Sequence, residues 1–185
     1  MSNEVIKAIK ERRTIRNFED KPIPDDVLQT VLEAIQWAPS WANTQCWEVV
    51  VVKDQDVKER IKARVQDGTG KNNPAAKSVV QAPVVLAVCT RLKESGYYKG
   101  EVTTKFGDWF MFDLGLACQN LSLAAHALGL GSVMMGLFDH DKVAEVLNVP
   151  PGYEFVTLIP VGYPSKIPSA PKRRALEEFV RENSF

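Results

Sequence analysis

The chain has 185 residues, of which 45% are hydrophobic and 25% are charged, as is usual for a globular protein with a substantial core. Lysine plus arginine and aspartate plus glutamate both number 23, so the formal net charge is zero. A general nucleic-acid binder or a protein of anionic membranes needs a basic excess, so we expect neither partner, and any anion site must be local.

Cysteine and histidine are scarce in this chain. Cys46, Cys89 and Cys118 are far apart, and there are only 2 histidines. Zinc sites use closely spaced ligands of these two types, so we expect no metal site. Residues 1–20 carry charges throughout and lack the apolar segment of a signal peptide. We therefore expect a cytoplasmic protein with reduced thiols.

The first half of the chain predicts two helices, a polar loop and a strand. Residues 3–11 and 25–37 place apolar side chains on one helical face, and two aspartates are expected at the N-cap and in the first turn of the second helix. The loop is residues 38–46. Residues 47–53 contain a run of valines, which predicts a central strand covered on both faces.

The second half predicts further elements around one long helix. Residues 91–108 are polar and contain glycines and tyrosines, so we expect an exposed, lid-like excursion. Residues 109–128 form the long helix, which glycines close. The other predicted elements are helices at 56–66, 75–81 and from Asp139 or Asp141 to Leu147, strands at 83–89, 132–135 and 154–163, a loop at 68–74 and a C-terminal arm at 164–185.

Residues 114–138 contain no Asp, Glu, Lys or Arg. A stretch of this length could cross a bilayer, but Gln119, Asn120 and two glycines interrupt it. We expect a helix buried in a large core or in a dimer interface, with His126 as a hydrogen-bonded core residue. The mixture of helices and strands predicts a single domain over the whole chain with an α+β (α/β layered) architecture.

A cationic cluster follows the first predicted helix. It comprises Arg12, Arg13 and Arg16, together with the hydroxyl of Thr14. Arginine can hold phosphate in a bidentate way, but a solvated basic helix end would give the same pattern, and the spacing alone does not decide between them. A second basic cluster, Lys172–Arg174, lies near the other end of the chain.

The polar loop supplies hydrogen-bonding groups that suit a heterocycle with alternating polar edges. Ser40, Asn43 and Gln45 offer both donors and acceptors. The chain has no Walker A sequence, no complete dinucleotide fingerprint and no Gly-x-Ser-x-Gly, and Cys46 is expected to be inert packing. Anion-binding and amide groups without an evident acid, base or nucleophile favour a protein that binds a phosphorylated cofactor and leaves the chemistry to it.

Four segments, in order along the chain, resemble motifs of the nitroreductase family of flavoproteins. Glu11–Phe18 reads Glu-Arg-Arg-Thr-Ile-Arg-Asn-Phe, which resembles the opening motif of that family. Ala38–Trp47 is similar to its second motif, usually Pro-Ser-x-x-Asn-x-Gln-Pro-Trp. Gln119–Gly131 resembles its central helix, which ends in Gly-Leu-Gly, and Pro171–Glu178 resembles its basic C-terminal segment.

The resemblance implies a mixed, mainly antiparallel sheet covered by helices, and an obligate homodimer with two FMN molecules at the interface and the long helix in the dimer core. By motif match, Arg16 would lie near the flavin N1/O2 edge, and Met135 and Gly136 match backbone amides that face flavin N5 and O4. The other implied cofactor-binding residues are Arg12, Arg13 and Thr14 at the phosphate and ribityl end, Ser40, Asn43 and Gln45 from the partner subunit, and Trp41 in the same loop. Arg174, with Lys172 or Arg173, would complete the phosphate site.

The activity implied by the resemblance is that of an FMN-dependent oxidoreductase. NADH or NADPH would reduce FMN and leave, and a nitroaromatic, a quinone or another small electron-poor acceptor would then take the electrons by a ping-pong mechanism. No catalytic side chain is needed, since the chemistry takes place on FMN, and Arg16 would tune the flavin. The alternatives are a specialised flavoenzyme of the same superfamily (a dehalogenase or a flavin-destroying enzyme), a non-catalytic flavin- or phosphate-binding module and, against the charge balance, a DNA-binding protein.

The chain departs from the family pattern at three positions. Cys46 stands where proline is usual, Trp41 where a small residue is common, and Met135 where some members are acidic. Trp41 is therefore expected to narrow or line the substrate channel, and only the backbone contact of Met135 carries over. Further candidates for lining the channel are Tyr97, Tyr98, Trp109 and Phe138.

Overall fold

A four-stranded antiparallel sheet with helices on both faces forms the centre of the molecule. The computed structural model describes residues 3–67 and 73–185, so residues 68–72 of the predicted loop lie outside it. In chain order the elements are α1 (Glu4–Glu11), α2 (Asp25–Gln36), β1 (Trp47–Val52), α3 (Gln55–Asp67), α4 (Ala76–Gln81), β2 (Val84–Arg91), β3 (Tyr97–Tyr98), β4 (Glu101–Val102), α5 (Phe110–Ala127), β5 (Gly131–Ser132), α6 (His140–Leu147) and β6 (Tyr153–Gly162). Single turns of 3-10 helix lie at Trp41–Asn43 and Leu176–Glu178.

The strand order of the sheet is β1–β2–β6–β5, and every pairing is antiparallel. Trp47 at the start of β1 lies opposite Thr90, near the end of β2. Val84 at the start of β2 lies opposite Val161, which also pairs with Ser132 of β5. The start of β1 and the whole of β5 are therefore at opposite ends of the sheet, which matters for the site described below.

The pleat of β2 separates two hydrophobic cores. Leu86 and Val88 point into a core that α2 and α5 cover, whereas Val85 and Ala87 point into a core that α3, α4 and α6 cover. All four side chains are almost completely buried. Because a strand alternates its side chains between the two faces, β2 must be apolar at nearly every position, as the sequence predicts.

β1 is an edge strand, so the prediction of a central strand covered on both faces is wrong. Val50 and Val51 are 40% and 38% exposed, whereas the first seven of the eight residues of β2 are buried. A run of valines indicates extended structure, because branched side chains fit a pleated surface. The run carries no information on whether the outer edge of the strand has a neighbour.

Helix α5 occupies the predicted position and packs one face on α2 and the sheet. Leu114, Ala117 and Leu121 lie on that face and are buried. The first turn of α5 leaves Met111 and Phe112 exposed, at 62% and 59%. No helix in the described part of the chain combines the length and the apolar character that a bilayer crossing needs.

The beginnings of two helices test the capping predictions. Helix α2 has Pro24 at its N-cap position without a side-chain hydrogen bond, so Asp25 and Asp26 act only in the first turn, where their charge suits the helix dipole. The prediction of an aspartate at that N-cap is wrong. Asp139 is the N-cap of α6, and its carboxylate accepts a hydrogen bond of 3.2 Å from the Lys142 N–H.

Two of the predicted segments, the excursion and the C-terminal arm, lie outside the helices and the main sheet. The excursion at 91–108 contains the hairpin β3–β4, and the Lys93 N–H donates to the Asp108 carboxylate over 2.9 Å at its base. The C-terminal arm leaves the sheet beside the arginine segment, where the Ser165 N–H donates to the Asn17 carbonyl over 3.1 Å. Its later residues are exposed.

Candidate functional site

The arginine cluster is held in an extended conformation along the free edge of β5. Thr14 forms a parallel bridge with Ser132, and the Ile15 N–H donates to the Ser132 carbonyl over 2.9 Å. Ile15 is buried, so the residues on either side of it face away from the core. Gly131 makes this approach possible, because a Cβ there would lie 2.3 Å from Cγ1 of Ile15.

The two ends of the chain meet at a cavity of about 300 Å³. Arg12, Arg13, Thr14 and Arg16 line one side, and Arg173 lies among the residues of the C-terminal arm on the other. Several guanidinium groups around one open space would repel each other without an anion, and their planar forks match phosphate oxygens. The cavity is therefore suited to a phosphate group.

Arg12 and Arg13 have different surroundings within this cavity. Nη1 of Arg13 donates to the carbonyls of Lys10 and Arg12, both over 2.8 Å, so this guanidinium also covers the carbonyl end of α1. The Nε atom of Arg12 is buried and has no hydrogen-bond partner in the described part of the chain. This atom is closed to solvent and does not face the cavity, but the Arg12 guanidinium as a whole makes no hydrogen bond or ion pair with a described residue and is available to a ligand.

The structure places the three residues of the second basic cluster differently. Arg173 lines the cavity, whereas Lys172 is exposed. Arg174 turns towards the arm itself, where Nε lies 3.3 Å from the Glu178 carboxylate and Nη2 donates to the Glu178 carbonyl. Of the three, Arg173 is the one that joins the N-terminal arginines within a single chain.

The polar loop has a strained backbone. Ala42, Asn43 and Gln45 have φ angles of 45°, 56° and 49°, a region that side chains other than glycine rarely adopt. The Ser40 hydroxyl accepts a hydrogen bond from the Gln45 N–H (3.0 Å), and Nε2 of Gln45 donates to the Asn43 side chain (3.2 Å). Strain of this kind on an exposed loop commonly marks a functional segment.

Asp113, a residue that the sequence analysis did not select, holds this loop. Its side chain is 1% exposed and accepts hydrogen bonds from the Trp41 N–H at 3.1 Å to each oxygen and from the Ser95 hydroxyl at 2.7 Å. The Cys46 thiol lies 3.9 Å away. Asp113 is the one Asp, Glu, Lys or Arg in the sequence of α5, and that isolated charge in an apolar helix was a usable indication.

Met135 and Gly136 lie at the middle of the sheet and differ in their freedom to bind a ligand. The Met135 N–H donates to the Leu158 carbonyl (2.9 Å), so it already has an acceptor. Gly136 is exposed, and its N–H has no acceptor among the described residues. The Asn73 side chain, another residue that the sequence analysis missed, fixes this turn by donating to the Leu137 carbonyl over 2.8 Å.

The aromatic candidates for a substrate channel separate into core and surface residues. Phe138 is 7% exposed and stacks on Phe155 with ring centroids 5.7 Å apart, so it is a core residue. Trp109 lies between Phe106 and Phe112, at 5.7 Å and 5.4 Å. This second group is at the exposed base of the excursion.

His126 and Cys46 test two further predictions. His126 is half-buried and lines a small cavity of about 120 Å³ that also touches Arg12 and Arg13, so it is not enclosed in the core as we expected. Cys46 is fully buried, and burial raises the pKa of its thiol. The thiolate is therefore scarce at neutral pH, which agrees with the prediction of inert packing.

Comparison with known proteins identifies the class to which this sheet and arginine cavity belong. A model of the nitroreductase family matches residues 9–163. A protein of Methanothermobacter thermautotrophicus assigned as an NADH dehydrogenase/NAD(P)H nitroreductase is 30% identical over 169 residues, which cover 89% of this chain and 80% of that one. The iodotyrosine deiodinase of Nematostella vectensis is 28% identical over an alignment of 200 residues, gaps included, which covers 97% of this chain and 75% of that one.

The solved structures agree with the sequence relatives. A protein of Desulfovibrio desulfuricans assigned as a nitroreductase, solved in complex with FMN, superposes with a TM-score of 0.80 at 29% identity and covers 100% of this chain and 99% of that one. The chain belongs to the nitroreductase family. The predicted family and fold class are thereby confirmed.

Proposed function

We propose that this protein is an FMN-dependent oxidoreductase that passes electrons from NADH or NADPH to small electron-poor acceptors, such as nitroaromatics or quinones, by a ping-pong mechanism. The observation that carries the proposal is the cavity where Arg12, Arg13, Thr14 and Arg16 meet Arg173. The Arg12 guanidinium lines this cavity and makes no hydrogen bond or ion pair with a described residue, so it is available to a phosphate oxygen.

The spacing along β6 suits a ligand that reaches from this cavity to the turn at Gly136. Ser132, beside the arginines, pairs with Val161, and Met135, beside Gly136, bridges to Leu158. Three residues along a strand span about 10 Å. The ribityl chain of FMN separates its phosphate from its ring system, so the phosphate would lie at the arginines and the ring near Gly136.

The roles of the chain's own groups follow from this placement. When bound, FMN would take a hydride equivalent from the nicotinamide and pass electrons to the acceptor. Arg16 would provide positive charge at the N1/O2 edge and so favour the reduced flavin. The Gly136 N–H would donate a hydrogen bond at the N5/O4 edge, whereas the Met135 N–H is already used by Leu158. Solvent would supply protons.

The polar loop at residues 38–46, called the amide loop from here on, acts, in this proposal, on the cofactor of a second copy of the chain. Trp47, next to the loop, lies opposite Thr90, whereas Ser132, next to the arginines, aligns with Val84 through Val161. The six steps from Val84 to Thr90 span about 20 Å, so the loop cannot reach the arginines of its own chain. In keeping with the family resemblance, Ser40, Trp41, Asn43 and Gln45 would complete the site of the partner subunit.

Exposed apolar side chains support a homodimer. Val5, Ile6 and Ile9 form an apolar face on α1 and are 62%, 49% and 50% exposed, and Met111 and Phe112 on α5 are exposed as well. Apolar surface of this kind on a globular protein commonly marks an interface. The three cysteines are free, which fits the reducing cytoplasm in which we place the protein.

A specialised reaction within the family is the second candidate. The similarity to an iodotyrosine deiodinase supports reductive dehalogenation of a halogenated phenol as the alternative to nitro or quinone reduction. A panel of nitroaromatic, quinone and iodophenol acceptors separates the two. Turnover of iodophenol alone would favour the dehalogenase.

The direct test of the proposal is to purify the full chain and titrate it anaerobically with NADH and with NADPH. The protein should be yellow and should bleach with at least one nicotinamide, and acceptors should restore the colour. A colourless protein that does not take up added FMN would contradict the proposal. A yellow protein that neither nicotinamide bleaches would indicate a non-catalytic flavin-binding module.

A further inference from the structure

Asp113 is a buried acidic side chain where three segments meet: helix α5, the amide loop and the excursion. It lies in the first turn of α5 and is 1% exposed. Its carboxylate accepts hydrogen bonds from Trp41 in the amide loop and from Ser95 in the excursion. These partners are 72 and 18 residues away in sequence, so the contacts exist only in the folded chain.

The partners of this carboxylate are all neutral. They are a backbone amide shared between the two oxygens at 3.1 Å, a hydroxyl at 2.7 Å and, more weakly, the Cys46 thiol at 3.9 Å. Burying a carboxylate is unfavourable, and hydrogen bonds from neutral groups only partly compensate. Hydrogen bonds to a carboxylate are stronger than bonds between neutral groups, so these few bonds should hold their donors firmly.

The strained part of the amide loop begins at the residue that Asp113 holds. Ala42 and Asn43, which follow Trp41, have φ angles of 45° and 56°. Such angles persist only where the surroundings fix the backbone. On the other side of the loop, the Cys46 carbonyl accepts hydrogen bonds from the Thr90 hydroxyl (3.2 Å) and the Arg91 N–H (2.9 Å). The loop is thus held at both ends, by β2 and by Asp113.

We propose that Asp113 is a positioning residue: its carboxylate holds the loop at 40–46 in the strained conformation that presents Ser40, Asn43 and Gln45 to the cofactor, and it ties that loop to the excursion through Ser95. The identity of the cofactor rests on the proposed function. The conformational part of the inference does not, and it can be measured on the protein without reference to flavin.

The test is amide hydrogen exchange of the peptide that spans the loop, measured on the full-length protein as purified. In Asp113→Asn the Trp41 N–H keeps one neutral acceptor oxygen in place of two carboxylate oxygens, so exchange in the loop should become about tenfold faster. Ser95→Ala removes one donor but leaves Trp41 bonded, so a rise of about threefold is expected. If Asp113→Asn does not fold, Ser95→Ala alone still tests whether Asp113 ties the loop to the excursion.

Two control variants separate positioning from other effects. Arg12→Ala removes a cofactor contact while keeping Asp113, so it shows how much exchange rises through flavin loss alone, and Asp113→Asn should exceed it. Leu121→Ala opens a cavity in the same helix, where Leu121 is 0% exposed, without touching the loop. It should lower the melting temperature while leaving exchange in the loop and the FMN dissociation constant unchanged.

The FMN dissociation constant gives the second measurement. Asp113→Asn should raise it about tenfold, with a loss of stability no larger than that of Leu121→Ala. Loop exchange in Asp113→Asn and Ser95→Ala equal to that of the unmodified protein would overturn the inference. A protein that binds no FMN would refute the proposed function instead, and the exchange comparison would still decide the role of Asp113.

Discussion

The arginine cavity and the amide loop, which lie at opposite ends of the sheet, are built in different ways. The cavity is formed within one chain: an extended segment lies along β5, fixed by Thr14 and the buried Ile15, and the C-terminal arm closes over it. The loop has no such edge to follow. Its backbone is strained and depends on Asp113, a single buried carboxylate.

The cavity and the loop should therefore contribute differently to cofactor binding. The cavity should hold the charged end of a cofactor strongly, because its guanidinium groups are already together. The loop should contribute orientation, since its groups are neutral amides and a hydroxyl. Damage to the cavity should therefore cost the most affinity, and damage to the loop should cost less affinity together with the geometry of the second half of the site.

The largest effect is expected for Arg12→Ala. It removes a guanidinium that lines the cavity and makes no hydrogen bond or ion pair with a described residue, so the FMN dissociation constant should rise roughly 100-fold. Flavin fluorescence titration measures it. Arg181→Ala is the control, because it removes the same side chain from an exposed position away from the cavity, where Arg181 donates to the carbonyls of Glu177 and Val180. Equal affinities for the two variants would refute the phosphate assignment.

Gly131→Ala should disturb the foundation of the cavity. The added Cβ would lie 2.3 Å from Cγ1 of Ile15 and 2.6 Å from its Cβ, so the arginine segment must move away from β5. Overpacking of this kind costs about 2 kcal/mol of the free energy of unfolding, which urea denaturation measures. Ser132→Ala, which adds no atom to the same strand, should cost less. Equal stability of Gly131→Ala and the unmodified protein would contradict the close approach.

Arg16→Ala should separate the redox end of the cavity from its phosphate end. Loss of positive charge at the N1/O2 edge should slow reduction of the flavin about tenfold, with a smaller change in FMN affinity than Arg12→Ala gives. Anaerobic stopped-flow absorbance measures the rate. Lys21→Ala is the control, because Lys21 lies over the Tyr163 ring at 3.8 Å and does not line the cavity. An unchanged rate in Arg16→Ala would remove this role.

The smallest effect concerns Cys46 at the base of the loop. Burial raises its pKa, so the thiolate fraction and the alkylation rate should still climb about tenfold per pH unit between pH 7 and pH 9. Ser95→Ala should speed the alkylation of Cys46 about threefold by loosening the loop. Burial raises the pKa of Cys89 and Cys118 to about 11. These core thiols are internal references, because Ser95→Ala should leave their alkylation rates unchanged. Mass spectrometry follows each cysteine separately.

Local patterns predicted much of the fold and less of the site. The apolar run of β2, the long helix α5 and the Asp139 cap of α6 follow from periodicity and capping rules that act over a few residues. The edge position of β1 did not, because it depends on which strands lie beside it. The family resemblance predicted that Arg174, with Lys172 or Arg173, joins the N-terminal arginines, since spacing alone left the arginine cluster undecided, and Arg173 is the one that lines the cavity.

Long-range contacts explain what the sequence could not show. Asp113 and Trp41 are 72 residues apart, and nothing in the local sequence of either indicates the other. The positive φ angles of the loop occur at Ala42, Asn43 and Gln45, and the sequence does not indicate them because none of these residues is glycine. The hydrogen bond from the Met135 N–H to the Leu158 carbonyl likewise depends on the packing of β6 beside Met135, which the local sequence does not show.

The central claim is that one site takes its arginines from one copy and its amide loop from another. The most direct measurement mixes Arg12→Ala protein with Asn43→Ala/Gln45→Ala protein, allows subunits to exchange, and counts FMN bound per chain. Each mixed dimer would then contain one intact site and one doubly defective site, so about a quarter of all sites should regain normal affinity. No recovery, with subunit exchange verified by mass spectrometry, would show that both halves act within one chain and would contradict the account.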